Sequence, residues 1–208
     1  MKTFVYIDHF KGDVQPASWE ALGLAKTFGT AVALVFGAGV DEVAKAAVEF
    51  GADEVLVADD ASLADYRAET YASTLSALAS SQSPNLILLP TTSRTRELAA
   101  MAAVDLNTGV LTDLIGLEAN GDSFVATRPI YEGKLMEKTV CSGKPVMATI
   151  RGRAFAKPER GSGNGTITKV AAAGEAKSSV EGYSASESAV NLGDAGIIVS
   201  GGRGVSNN

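Results

Sequence analysis

The sequence predicts an α/β fold: a mainly parallel sheet flanked by helices, with an antiparallel strand extension and a C-terminal arm leading to an incomplete second α/β domain. Three observations carry this expectation. Short apolar, β-rich runs alternate with helical patterns through the first half of the chain. From about residue 120 the runs are separated only by Asn120-Gly121, Glu132-Gly133 and Ser142-Gly143, connections too short for a crossover helix. Near the end, the apolar run 196–199 enters Ser200-Gly201-Gly202-Arg203-Gly204, which is how a nucleotide-binding βα unit begins.

Residues 4–7 are continuously apolar, as in a strand covered on both faces. Pro16 suits a first helical turn, Trp19, Leu22, Ala25 and Phe28 follow at helical spacing, and Gly29 stops the helix. Residues 31–36 form the second strand and run into Gly37-Ala38-Gly39. Asp41 serves as N-cap of a helix reaching Phe50, with Gly51 as its stop. The third strand is 54–58. A helix through Tyr71, Leu75 and Leu78 ends before Pro84, and residues 85–89 are the fourth strand. Pro90-Thr91-Thr92-Ser93 then caps a helix from Arg94 that turns Leu98, Met101 and Ala102 inward and gives way near Asn107-Thr108-Gly109. Residues 121–125, 128–131, 136–141 and 146–150 read as antiparallel strands on the sheet's edge.

Hydrophobic periodicity is then lost. The domain division is therefore 1–156 for the α/β domain, 157–192 for a Gly/Ala/Ser-rich linker or partner-draped arm, and 193–208 for the first strand and glycine turn of the second domain. Residues 166–170 are the exception and suit a strand added to a sheet edge.

With 208 residues and a formal charge of -6, the chain lacks the cationic surplus a nucleic-acid partner requires. Cys141 is the only cysteine, so neither an internal disulfide nor a thiolate metal cage is available. No apolar run approaches the roughly 20 residues that span a bilayer, and the apolar start is too short for a signal core. The reading is a cytoplasmic bacterial protein without membrane insertion.

His9, the single histidine, stands beside Asp8 at the carboxyl end of the first strand. It is read as a structural group more than a general base, because no second titratable partner accompanies it. Cys141 is read as an inert thiol. Gly37-Ala38-Gly39 and Ser93-Arg94-Thr95-Arg96 are candidate anion sites, the second through a helix N-terminus and two guanidiniums, with capping plus surface charge as the plainer account. Arg128, Arg151 and Arg153 suit either a polar subunit interface or charges that guard a sheet edge. No metal cluster, Ser/His/Asp set or Walker loop is written in the sequence, so no enzyme active site is expected.

Five segments together carry a resemblance: Val5-Tyr6-Ile7-Asp8-His9 with Gly12; Leu88-Leu89-Pro90-Thr91-Thr92 through Arg94-Thr95-Arg96-Glu97-Leu98-Ala99; Arg128-Pro129-Ile130-Tyr131-Glu132-Gly133-Lys134; Thr149-Ile150-Arg151-Gly152-Arg153-Ala154-Phe155; and Ile197-Ile198-Val199-Ser200-Gly201-Gly202-Arg203-Gly204. In series they resemble the alpha subunit of electron-transfer flavoproteins. The resemblance implies an adenine-nucleotide-hydrolase-like domain and an electron carrier instead of an enzyme. It implies FAD near Arg203, with Gly201 and Gly202 in the same turn, and a beta subunit as partner, which commonly holds AMP. It further implies electron delivery from acyl-CoA dehydrogenases and related dehydrogenases of fatty acid oxidation to a membrane quinone oxidoreductase. Asp8 departs from the family's usual Glu but keeps the carboxylate. In the family most of the FAD domain follows the glycine turn, so a truncated chain is expected, one that retains no FAD by itself. The alternative reading is a stand-alone AMP- or ATP-binding module of the universal-stress type, using Gly37 to Gly39 and Ser93 to Arg96.

Overall fold

In the computed structural model the described residues are 1–121, 123–141, 143–184, 195 and 197–205. The first strand β1 (Lys2–Tyr6) leads into a small hairpin of β2 (His9–Phe10) and β3 (Asp13–Val14), which the sequence pattern had not marked. Helix α1 (Pro16–Phe28) starts on its proline and stops at Gly29. The chain continues through β4 (Thr30–Gly37), α2 (Asp41–Glu49), β5 (Glu54–Asp59), α3 (Ala68–Gln82), β6 (Leu86–Pro90) and α4 (Ser93–Asp105). Asp41 is the first helical residue of α2, not its cap, and Met101 on α4 lies at the surface while Leu98 and Ala102 are buried.

After α4 come β7 (Val110–Leu114), β8 (Gly116–Asn120), β9 (Ser123–Ile130), β10 (Leu135–Cys141), β11 (Val146–Ile150) and β12 (Thr166–Lys169). Seven strands make one sheet in the order β12-β5-β4-β1-β6-β11-β7, and every pair in it is parallel. The antiparallel extension is the separate sheet β10-β9-β8. Residues 146–150 depart from the antiparallel reading: all five are buried, and they lie parallel between β6 and β7. A parallel return needs a crossover of a dozen or more residues, and here the three-stranded sheet supplies it in place of a helix.

Helices cover both faces of the large sheet. On one face Trp19, Leu22 and Ala25 of α1 and Val43 and Ala47 of α2 pack on Val5, Ala33, Val35 and Val55. Phe124 and Ala126 of β9 join this same core, which is how the small sheet is anchored. On the other face Tyr71 and Leu75 of α3 and Leu98 and Ala102 of α4 pack on Phe4, Leu34, Phe36 and Leu56. The unbroken apolar runs of the central strands follow from burial on both sides.

Residues 157–184, the described part of the expected linker, run as a belt around the domain's own surface. Arg160 pairs with Glu49, and Gly161 N–H donates to the Glu49 carbonyl (2.9 Å). At Gly163 and Gly165 the belt lies so close to the backbone carbonyls of Val48 and Ala52 that a Cβ on either would overlap them. Residues 166–169 then pair with β5 as β12, the edge strand the sequence suggested. Beyond it, Ala173 N–H donates to Thr74 Oγ1 (3.0 Å), and the Tyr183 hydroxyl donates to Asp65 Oδ1 (2.7 Å). Residues 185–194, 196 and 206–208, which include parts of the expected arm and second-domain strand, lie outside the described residues. Ile197, Ile198 and Val199 are exposed and form no strand.

Glu69, in the first turn of α3, receives the Lys177 N–H (2.9 Å) and the Ser178 hydroxyl (2.7 Å) from the belt. Its own N–H, the Ser178 hydroxyl and the Lys177 N–H together hold its carboxyl at about 2. Because the folded value lies below the ordinary one, this contact is fully present above the usual carboxylate range and is lost only as pH falls through about 2. A carbon-13 titration of the Glu69 carboxyl should find that midpoint. A value near the ordinary 4.5 would mean the belt does not rest on α3.

Candidate functional site

In sheets of this kind ligands bind outside the carboxyl ends of the strands, where successive connections leave in opposite directions. Here that place lies between β1, whose chain goes on to β4, and β6, reached after α3 crosses to the other side. Asp8 follows β1 and is 1% exposed. Ser18 on α1 accepts the Asp8 N–H (3.0 Å), and Gln15 N–H donates to the Asp8 carbonyl (2.9 Å), so the backbone is clamped there.

From the β6 side, Thr92 Oγ1 donates to Asp8 Oδ2 (2.9 Å) and Arg94 Nη2 lies 2.9 Å from Asp8 Oδ1. Arg94 Nη1 also donates to the His9 carbonyl (3.1 Å). Thr92 is simultaneously the N-cap of α4: its hydroxyl accepts the Thr95 N–H, and Thr95 Oγ1 accepts the Thr92 N–H (2.9 Å). Burial pushes the Asp8 carboxyl above its usual value, while Arg94 and Thr92 pull it back.

His9 is fixed in one tautomer. Its Nδ1 accepts the Gly12 N–H (3.3 Å), so the proton sits on Nε2 and is donated to the Phe36 carbonyl (2.9 Å). Burial lowers its pKa. It is a neutral brace between the hairpin and β4, in keeping with the structural reading.

The two candidate anion sites are thus occupied by the chain's own carboxylates. Asp8 takes the Thr92 and Arg94 donors at the start of α4, and Asp59 Oδ1 accepts the Gly39 N–H (2.7 Å) in the glycine turn after β4. A phosphate arriving here would have to displace both.

The other sequence candidates lie elsewhere. Arg128 pairs with Glu137 and donates to Thr112 Oγ1 (2.7 Å), tying β9 to β10 and β7. Arg151 Nη2 donates to Asp113 Oδ2 (2.5 Å) and holds that carboxyl below its usual value. Arg153 N–H donates to Glu20 Oε1 (3.0 Å), and Arg153 Nη2 donates to the Ala195 carbonyl (2.8 Å). Cys141 is a half-buried free thiol on β10, opposite Phe124. Gly201, Gly202 and Arg203 sit in an exposed turn closed by the Val205 N–H on the Gly202 carbonyl (3.0 Å). Sequence reading missed Glu20 and Asp59, because a carboxylate on a helix face or strand end carries no mark of the backbone N–H it will meet. Among the described residues there is no cluster of metal-ligating side chains, and no helix is long and apolar enough to cross a membrane.

The chain matches the family model described as electron transfer flavoprotein domain over residues 3–175. It is 34% identical to the electron transfer flavoprotein subunit alpha of Syntrophomonas wolfei over 207 residues, covering 97% of this chain and 65% of that protein. The Bacillus subtilis electron transfer flavoprotein subunit alpha is 30% identical, with 93% and 62% covered, and the protein FixB of Clostridium saccharobutylicum 34%, with 97% and 64% covered. The chain therefore spans less than two thirds of the length of these relatives. A match across both faces of the sheet, including the belt as far as residue 175, places the chain in the electron transfer flavoprotein domain family.

Proposed function

We propose that this chain is the scaffold part of an electron-transfer flavoprotein alpha subunit, a cytoplasmic electron carrier and not an enzyme. Its partner is the beta subunit, with AMP held there. The heterodimer takes electrons from acyl-CoA dehydrogenases and related dehydrogenases and passes them to a membrane quinone oxidoreductase. The observation that carries this reading over a nucleotide-binding module is that Asp8 and Asp59 take up donors at both candidate anion sites, in a chain whose relatives bear the alpha-subunit name.

The residues assigned to FAD suit it. The Gly201-Gly202 backbone carries no side chain that would keep a ligand away, and Arg203 is an exposed guanidinium with no hydrogen bond or ion pair among the described residues. In the assembled subunit these glycines admit the cofactor to close approach and Arg203 stabilises negative charge on it. When bound, FAD supplies the redox chemistry, and the protein's share is binding and orientation.

The 208-residue chain by itself is expected to be colourless after gel filtration and to give no heat with AMP or ATP in calorimetry. A flavin absorbance near one FAD per chain would overturn the division of labour proposed here. Tight nucleotide binding by the isolated chain would instead favour the module.

A further inference from the structure

The small sheet β10-β9-β8 is buried on one face. Phe124 and Ala126 of β9 and Leu117 of β8 turn into the core, and strand alternation sends their neighbours outward. Along β10 the pattern agrees: Met136, Lys138 and Val140 are exposed, while Glu137, Thr139 and Cys141 are half-buried. The register sets Met136 beside Pro129 of β9 and Val140 beside Val125. Two adjacent strands thus carry apolar side chains on the outer face, with Met136 56% and Val140 57% exposed. Apolar residues scattered singly over a surface are ordinary, whereas a contiguous exposed group with charged margins marks a contact surface.

Two opposite charges stand at the margins of this face. Lys138 lies on β10 opposite Thr127, and Glu118 lies on β8 opposite Val125. Gly116 pairs with the same Thr127, and a Cβ on it would meet the Thr127 side chain, so alternation along β8 puts Glu118 on the outer face too. Both charges are exposed, and neither has an ion pair or hydrogen bond among the described residues. Strand β9 lies between them and keeps them apart within one chain. By contrast, Arg128 and Glu137 on the covered side already pair with each other.

We propose that this face binds a second copy of the chain, as a two-fold dimer in which Lys138 of each protomer meets Glu118 of the partner subunit. A two-fold axis running along β9 turns one sheet over onto the other and exchanges its margins. The β10 margin of each protomer then covers the β8 margin of its partner, the apolar side chains are enclosed, and unlike charges meet twice. The charge pattern selects this occupant, because one face carries both members of the pair. Three strands at about 4.8 Å spacing give a face well short of the roughly 800 Å² per partner of a standard interface. The dimer is therefore weak, with a dissociation constant of about 100 μM. It depends on this chain's own surface and not on the beta-subunit reading.

Sedimentation equilibrium of the 208-residue chain, from about 10 μM to about 1 mM, should show a reversible monomer–dimer equilibrium that weakens as salt is added. Lys138→Glu and Glu118→Lys should each weaken dimerisation about tenfold, since each turns two attractions into two repulsions. The variant carrying both substitutions restores unlike charges across the axis and should return to within about threefold of the parent. Met136→Asp, which places a charge among the enclosed apolar side chains, should weaken the dimer at least about tenfold. All three side chains are exposed in the monomer, so unfolding midpoints measured at about 10 μM should not move, which separates loss of the dimer from loss of the fold. The proposal is overturned by a monomer throughout the concentration range, by an assembly larger than a dimer, by parent affinity in Lys138→Glu, or by a double variant no tighter than the single ones.

Discussion

Arg94→Ala is expected to lower the unfolding free energy by about 3 kcal/mol, read as a fall of roughly 6–12 °C in the unfolding midpoint. The substitution strands Asp8, 1% exposed, with only the Thr92 hydroxyl to compensate its charge. The loss of the bond from Arg94 to the His9 carbonyl adds to the cost. Adding Asp8→Asn to Arg94→Ala should restore part of the stability, because removing both charges avoids a buried ion without a partner. A double variant as unstable as Arg94→Ala would mean that the ion pair does not govern this crevice.

The pH dependence follows the same logic. Asp8 already lies above the ordinary carboxylate value through burial, and without Arg94 it rises further. A raised folded pKa contributes stability that is fully present below the unfolded value and is lost as pH rises through the folded one. The deficit of Arg94→Ala should therefore be largest at neutral pH and shrink on acidification through the carboxylate range. Chemical denaturation at several pH values measures it.

Gly163→Ala is the second substitution with a large expected effect. A Cβ there overlaps the Val48 carbonyl of α2, which is backbone and cannot rotate aside. Overpacking of this kind costs about 2 kcal/mol, or roughly 4–8 °C in the midpoint. The belt should lift first, so that amide exchange at Gly161 and Thr166 accelerates before the central strands are affected. Gly161→Ala is the control: a Cβ there meets nothing within 4 Å, and stability should stay within about 0.5 kcal/mol of the parent. Equal effects of the two substitutions would contradict close packing of the belt on α2.

Both predictions concern features that sequence reading described only in part. Val5 to His9 and Thr91 to Arg96 were legible as separate motifs, yet nothing in either says that Arg94 closes on Asp8. That pairing depends on β6 lying beside β1, which is a property of the sheet order. The belt shows a different ambiguity. Glycine is chosen both where a chain must move freely and where it must lie flat against a backbone, so Gly161 to Gly165 reads as a linker until α2 is seen beneath it. Residues 146–150 were misassigned for a third reason. Their apolar run fits a strand covered on both faces, but a run does not state its direction, and the short turn before it suggested a hairpin.

The sequence by itself determined the alternation of strands and helices, the strands buried on both faces, a strand within 166–170 and the motif series that marks the family. These are local properties, set by side-chain periodicity, capping and turn chemistry within a few residues of each position. Only the tertiary structure decided that the glycine turn and the helix start that resemble anion sites are filled by Asp59 and Asp8. Hydrogen bonds and ion pairs act over a few ångströms in space, and the residues that meet here stand 20 and 84 positions apart in the chain.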